Sequence, residues 1–117
     1  DSNFKLIEAM IGKDYKLVRA LNGIEAVSIC NEIQPDLILM DIKMPEMNGL
    51  DATQIIRKSF PDIPIIAQSA YAFDDDRKRA LESGCTDFIP KPFTKKQLTD
   101  IIQKAFNNIK KPDSGYE

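Results

Sequence analysis

Three polar residues close apolar segments of this 117-residue chain: Asp41 after LILM, Ser69 after IPIIAQ and Lys91 after DFIP. A carboxylate, a hydroxyl and an ammonium gathered in one place suit phosphoryl transfer to the carboxylate. An aspartate is a competent nucleophile toward an activated phosphoryl group, and the acyl phosphate it forms is energetic and labile. A lysine cation, with a hydroxyl or backbone N–H opposite the acid, stabilises the charge on the equatorial oxygens through the transition state. A hard divalent ion such as magnesium is expected to bridge acid and phosphoryl, because two like charges otherwise approach each other. Such a site needs more carboxylates than Asp41.

Taken singly, each residue has an ordinary role. An aspartate after a strand commonly caps a turn or helix, a lone serine carries less still, and Lys91 before Pro92 reads as a solvated loop lysine. Their common position changes the reading, since each ends a different predicted strand.

The elements that must hold them follow from two alternating periodicities. Phe4, Ile7, Met10 and Ile11 form a helical stripe that stops at Gly12. Residues 15–20 read as a short strand centred on Leu17 and Val18. Asn22 and Gly23 open a second helix with Ala26, Val27, Cys30 and Ile33 on one face, and Pro35 forbids its continuation. Residues 37–40 are apolar without alternation, the pattern of a strand covered on both faces. A helix over 50–59, a buried strand over 63–69, a charged helix over 74–83 closed by Gly84 and a brief strand over 87–90 follow. The last helix opens on Thr94 and Gln97, spaced as a capping box, and carries Leu98, Ile101, Ile102, Ala105, Phe106 and Ile109 on one stripe. The expected class is α/β with a mostly parallel, doubly wound sheet, whose ligands sit beyond the carboxyl ends of the strands. Residues 1–110 are expected to form one domain and 111–117 a frayed polar tail.

Composition narrows the function classes. With 16 basic against 18 acidic residues, the net charge of −2 supplies no broad cationic surface for nucleic acid or anionic lipid. No apolar stretch approaches the roughly 20 residues that span a bilayer, and DSNFKLIEAM lacks the pattern of a secretory leader, so a cytoplasmic location is expected. Cys30 and Cys85 read as reduced, small core residues rather than a disulfide or metal cluster. The absence of histidine excludes histidine metal sites, catalytic triads and a phosphohistidine within this chain.

From SNFKLIEAM through NGIEAVSICNEIQPDLILMDIKMPEMNG and PIIAQSAYA to GCTDFIPKPFTKKQL, the chain resembles the receiver domains of two-component response regulators and hybrid sensor kinases. The blocks MDIKMPEMNG, PIIAQSA and IPKPF carry the likeness at these separations. The resemblance implies a flavodoxin-like receiver fold and a module phosphorylated by a histidine kinase or phosphotransfer domain. It also implies the role of each residue. Asp41 is the phosphoacceptor, Lys43 offers magnesium its backbone carbonyl, Ser69 is the switch hydroxyl and the Ala70 amide meets the phosphoryl group. Lys91 pairs with the phosphate, Phe88 is the switch aromatic that moves inward with Ser69, and the Lys91–Pro92 bond is cis. The surface around the fourth helix, the Phe88 strand and the last helix is the expected partner face.

One part of the family pattern is not matched. Members begin with a central strand that ends in two acidic residues, and Asp1 aligns with the loop after that pair. The first strand and both outer metal carboxylates are therefore expected to be missing from these residues, through an upstream segment that lies outside them, a strand lent by another copy or a truncation, which puts magnesium binding by these residues in doubt and leaves a homodimer or strand-exchanged oligomer open. Two other readings stand beside the phosphoacceptor. A receiver-like interaction module would bind partners without being phosphorylated. A phosphatase resembling the haloacid dehalogenase group would need a second aspartate two residues after the nucleophile, where this chain has Lys43. DDDRKRALE reads as a solvated helix, Met40 as core, Met44 and Met47 as a candidate recognition pair, and Tyr71 as packing.

Overall fold

In the computed structural model, residues 2–20, 22–42, 48–69 and 74–110 are described. The elements in chain order are α1 (Ser2–Ile11), α2 (Gly23–Ile33), β1 (Ile38–Asp41), α3 (Gly49–Ser59), β2 (Ile65–Ser69), α4 (Asp74–Ser83), β3 (Asp87–Pro90) and α5 (Lys95–Lys110). Among the described residues the sheet has three parallel strands in the order β1-β2-β3.

Both sheet faces are covered, which is why the strand sequences run apolar without a polar side. Met40, Ile65, Ala67 and Phe88 turn toward one cluster with Ala26 and Cys30 of α2, Ala52 and Ile56 of α3, and Ala80 of α4. Ile66 and Ile89 turn the other way, onto Ile7 and Ile11 of α1 and Leu98, Ile102 and Ala105 of α5. The alternation of side chains along each strand thus separates two half-cores, as expected for a doubly wound fold.

The helix ends follow the sequence signals. The Asn22 side chain accepts from the Glu25 N–H at 2.8 Å, and Asn48 accepts from the Asp51 N–H at 2.9 Å. At α5 the capping box closes in both directions: the Thr94 N–H donates to Gln97 Oε1 at 2.8 Å, and the Gln97 N–H donates to Thr94 Oγ1 at 3.1 Å.

Residues 15–20 do not form the strand that their sequence suggests. A strand exists only with a ladder partner, and a groove separates this stretch from β1. β2 also starts two residues later than predicted, at Ile65. The preceding carbonyls serve other donors: Ile63 O accepts from Arg57 Nη1 at 2.6 Å, and Pro64, which has no N–H to offer, accepts from the Ile38 N–H at 2.9 Å.

Arg57 joins α3 to the loops beneath the sheet. Its guanidinium donates to the carbonyls of Phe60, Pro61, Ile63 and Gly84, the last through both Nε and Nη2. Gly84 itself sits at φ 114, a left-handed conformation that ends α4 without a side-chain penalty. Arg57→Ala strips several partly buried carbonyls of their donor at once, so a loss of about 2 to 4 kcal/mol in urea unfolding is expected. A loss below about 0.5 kcal/mol would show that water replaces the guanidinium freely.

Both cysteines are free and buried, as predicted. Burial pushes both thiols up from 9.0, most directly at Cys30; at Cys85 a hydrogen bond to Thr53 and the Arg57 charge oppose the rise. The unfolded thiols therefore ionise first. Their contribution to stability is present below 9.0 and is lost as pH rises through the folded-state values. The denaturant midpoint is expected to fall more steeply above pH 9.0 in the wild-type chain than in Cys30→Ala/Cys85→Ala.

Among the described residues no helix is long and apolar enough to cross a membrane. The predicted tail, 111–117, lies outside the described residues.

Candidate functional site

Asp41 is the last residue of β1, Ser69 the last of β2, and Lys91 follows Pro90 at the end of β3. The parallel order puts all three ends on one rim of the sheet. Register then sorts their directions. Asp41 stands beside Gln68, which stands beside Ile89, so Asp41 and Gln68 belong to the side that faces α1 and α5. Lys91 falls on the same side by alternation. Its four-carbon stem passes over the middle strand, and Nζ donates to Asp41 Oδ2 at 2.8 Å.

This ion pair is half-sheltered: the Lys91 and Asp41 side chains are 22% and 27% exposed. The cation is held against the acid, and a face of the carboxylate stays open to solvent. Ser69 is 1% exposed and has the opposite parity, one residue beyond the register partner of Asp41. Its carbonyl accepts from the Lys91 N–H at 2.7 Å, which ties the end of β2 to Lys91 through the backbone. Phe88 is 7% exposed in the half-core with Ala67, its register partner on β2, and the Lys91–Pro92 bond is cis as predicted.

Two positioning residues were not singled out in the sequence. Gln68 is a buried amide beside Asp41, signalled only by a polar residue inside IIAQS. Gly49 starts α3 directly against β1: its N–H donates to the Ile42 carbonyl at 3.0 Å, and a Cβ there would lie 2.2 Å from the Asp41 carbonyl oxygen. Lys43, Ala70, Tyr71, Met44 and Met47 lie outside the described residues.

The family model for the response regulator receiver domain matches residues 2–103. The chain belongs to the response regulator receiver family. This receiver domain is 36% identical over 104 residues to the polar-differentiation response regulator DivK of Brucella anthropi, covering 86% of this chain and 85% of that protein. Its fold matches the receiver domain of the sensor histidine kinase PA1611 from Pseudomonas aeruginosa with a TM-score of 0.84 and 35% identity, over 91% of this chain and 89% of that one. That structure holds a magnesium ion in its active-site cleft. The receiver domain of a signal transduction histidine kinase from Syntrophus aciditrophicus matches with a TM-score of 0.84 at 28% identity, over 97% and 88% of the two chains. Receiver domains are the signalling modules of two-component systems, and the phosphoacceptor reading follows that family.

Magnesium binding is a separate matter in this receiver domain. The ion takes six oxygens in near-octahedral geometry, usually with one or two carboxylates, and Asp41 is the carboxylate that ends β1 at this rim. Among them no three acidic, cysteine or histidine side chains converge as a metal cluster. The donor set present does not fit a magnesium site by itself, and no step below runs through the ion.

Proposed function

We propose that this receiver domain takes one phosphoryl group onto Asp41 from a phosphohistidine of a histidine kinase or phosphotransfer domain. An Asp41 oxygen attacks the phosphorus, the new P–O bond forms as the P–N bond breaks, and the leaving imidazole nitrogen keeps the electron pair until it regains a proton. Lys91 stays beside the reacting centre and balances the charge on the phosphoryl oxygens. The observation that carries this reading is the 2.8 Å approach of Lys91 Nζ to a partly open Asp41 carboxylate at the carboxyl rim of a parallel sheet.

Signalling follows from the same rim. Ser69 turns its hydroxyl toward the phosphoryl group, the Ala70 amide supplies a second donor, and Phe88 packs into the space beneath, which alters the surface shared by α4, β3 and α5. The burial of Phe88 beside Ala67, two residues before Ser69 on the same strand, supports this coupling. The domain comprises residues 1–110, acts as a signalling module rather than an enzyme on outside substrates, and works in the cytoplasm; two free buried thiols agree with a reducing compartment.

The test is intact mass after incubation with acetyl phosphate, with and without magnesium, followed by borohydride reduction to locate the adduct. A gain of one phosphoryl group on Asp41 is expected. No gain under either condition overturns the reading and leaves an interaction module.

A further inference from the structure

Asp41 is held from two directions. Lys91 meets its side chain, and Gly49 of α3 presses against its carbonyl while donating its own N–H to the Ile42 carbonyl at 3.0 Å. Gly49 is held in turn by Thr53, one helical turn further along α3. Thr53 is fully buried, and its hydroxyl donates to the Gly49 carbonyl at 2.7 Å. A hydroxyl has a single proton, and this one goes to an oxygen that can only accept. The neutral Cys85 thiol, 3.8 Å from the same hydroxyl oxygen, is therefore the donor in their contact. A directed chain runs from Cys85 S–H through Thr53 O–H to the Gly49 carbonyl. One turn beyond Thr53, Arg57 donates to the Gly84 carbonyl through Nε and Nη2. Residues 49, 53 and 57 are four apart and share a face of α3. That face joins the backbone of Asp41 to Gly84 and Cys85, the connection that leads into β3 and so to Lys91.

We propose that Thr53 is a positioning residue for phosphoryl transfer, its hydroxyl fixing the first turn of α3 against Asp41 and so setting the acid's place relative to Lys91. The proposal rests on the phosphoacceptor reading and deepens it. A valine of nearly the same shape would fill this site without the desolvation cost of a buried hydroxyl. The hydroxyl instead adds a side-chain bond to the first-turn carbonyl, and that turn is the part of α3 in contact with the acid. A nucleophile displaced by a fraction of an ångström loses rate steeply, so the bond acts on the reaction through Gly49 without touching the phosphoryl group.

The experiment times loading of the whole chain from acetyl phosphate by intact mass, for the wild type, Thr53→Val and Thr53→Ser, each well below its Tm. Valine keeps the volume and loses the hydroxyl; serine keeps the hydroxyl and loses a methyl group. Thr53→Val is expected to load about tenfold more slowly at saturating donor, with the half-saturating concentration unchanged. Thr53→Ser should stay within about twofold of wild type despite the cavity it leaves. A role in packing alone reverses that order. Thr53→Ala compared with Thr53→Ser isolates the same oxygen without a branched side chain, and the alanine variant should be the slower by a similar factor. Hydrogen exchange at the Gly49 amide, which needs no phosphoryl group, should quicken in Thr53→Val and not in Thr53→Ser. Loading of Thr53→Val at the wild-type rate, equal rates for the alanine and serine variants, or unchanged exchange at Gly49 in Thr53→Val would each overturn the proposal and leave the phosphoacceptor standing. A wild type that takes no phosphoryl group overturns both.

Discussion

Asp41→Asn is expected to abolish phosphorylation, leaving the chain at its unmodified mass under conditions that load the wild type. The amide oxygen is a far poorer nucleophile than a carboxylate. The substitution is nearly isosteric, and Lys91 Nζ can still donate to the amide oxygen now replacing Oδ2. Folding should therefore survive, with unfolding free energy within about 1 kcal/mol of wild type. Lys91→Ala is a useful contrast. It leaves the acceptor in place and removes a charge that balances the phosphoryl oxygens, so the rate of loading should fall on the order of 100-fold while the final site stays Asp41. If Asp41→Asn still gains a phosphoryl group, the acceptor has been misassigned, whatever the behaviour of Lys91→Ala.

The second large effect concerns the backbone that holds the acid. Gly49→Ala at an open helix position would stabilise by up to about 1 kcal/mol. Here the added Cβ lies 2.2 Å from the Asp41 carbonyl oxygen and 2.9 Å from both the Asp41 carbonyl carbon and Met40 Cγ. Backbone cannot rotate away as a side chain does, so either α3 retreats from β1 or Asp41 shifts. A net loss of about 3 kcal/mol is expected in urea unfolding, with phosphorylation slowed in the fraction that remains folded. An increase in stability would mean that α3 does not press on the end of β1.

The elements of this fold were legible because each carries its own local signal. Unalternating apolar runs mark β1 and β2, Asn22 and the Thr94–Gln97 pair open their helices, and Gly84 ends α4. The failure at residues 15–20 has a definite cause. Leu17 and Val18 satisfy the composition of a strand, yet pairing is a property of the neighbour as well, and β1 lies across a groove. Gln68 and Gly49 escaped notice for a related reason, since what makes each matter is a residue distant in sequence that packs against it.

By itself the sequence determined the family, the α/β alternation and the three residues at the strand ends, because those depend on residue type, spacing and the short range of turn and capping interactions. Only tertiary structure decided that Lys91 meets Asp41 while Ser69 takes the opposite parity. Register and strand order arise from contacts between segments tens of residues apart, and a shift of one residue would turn each side chain to the other face.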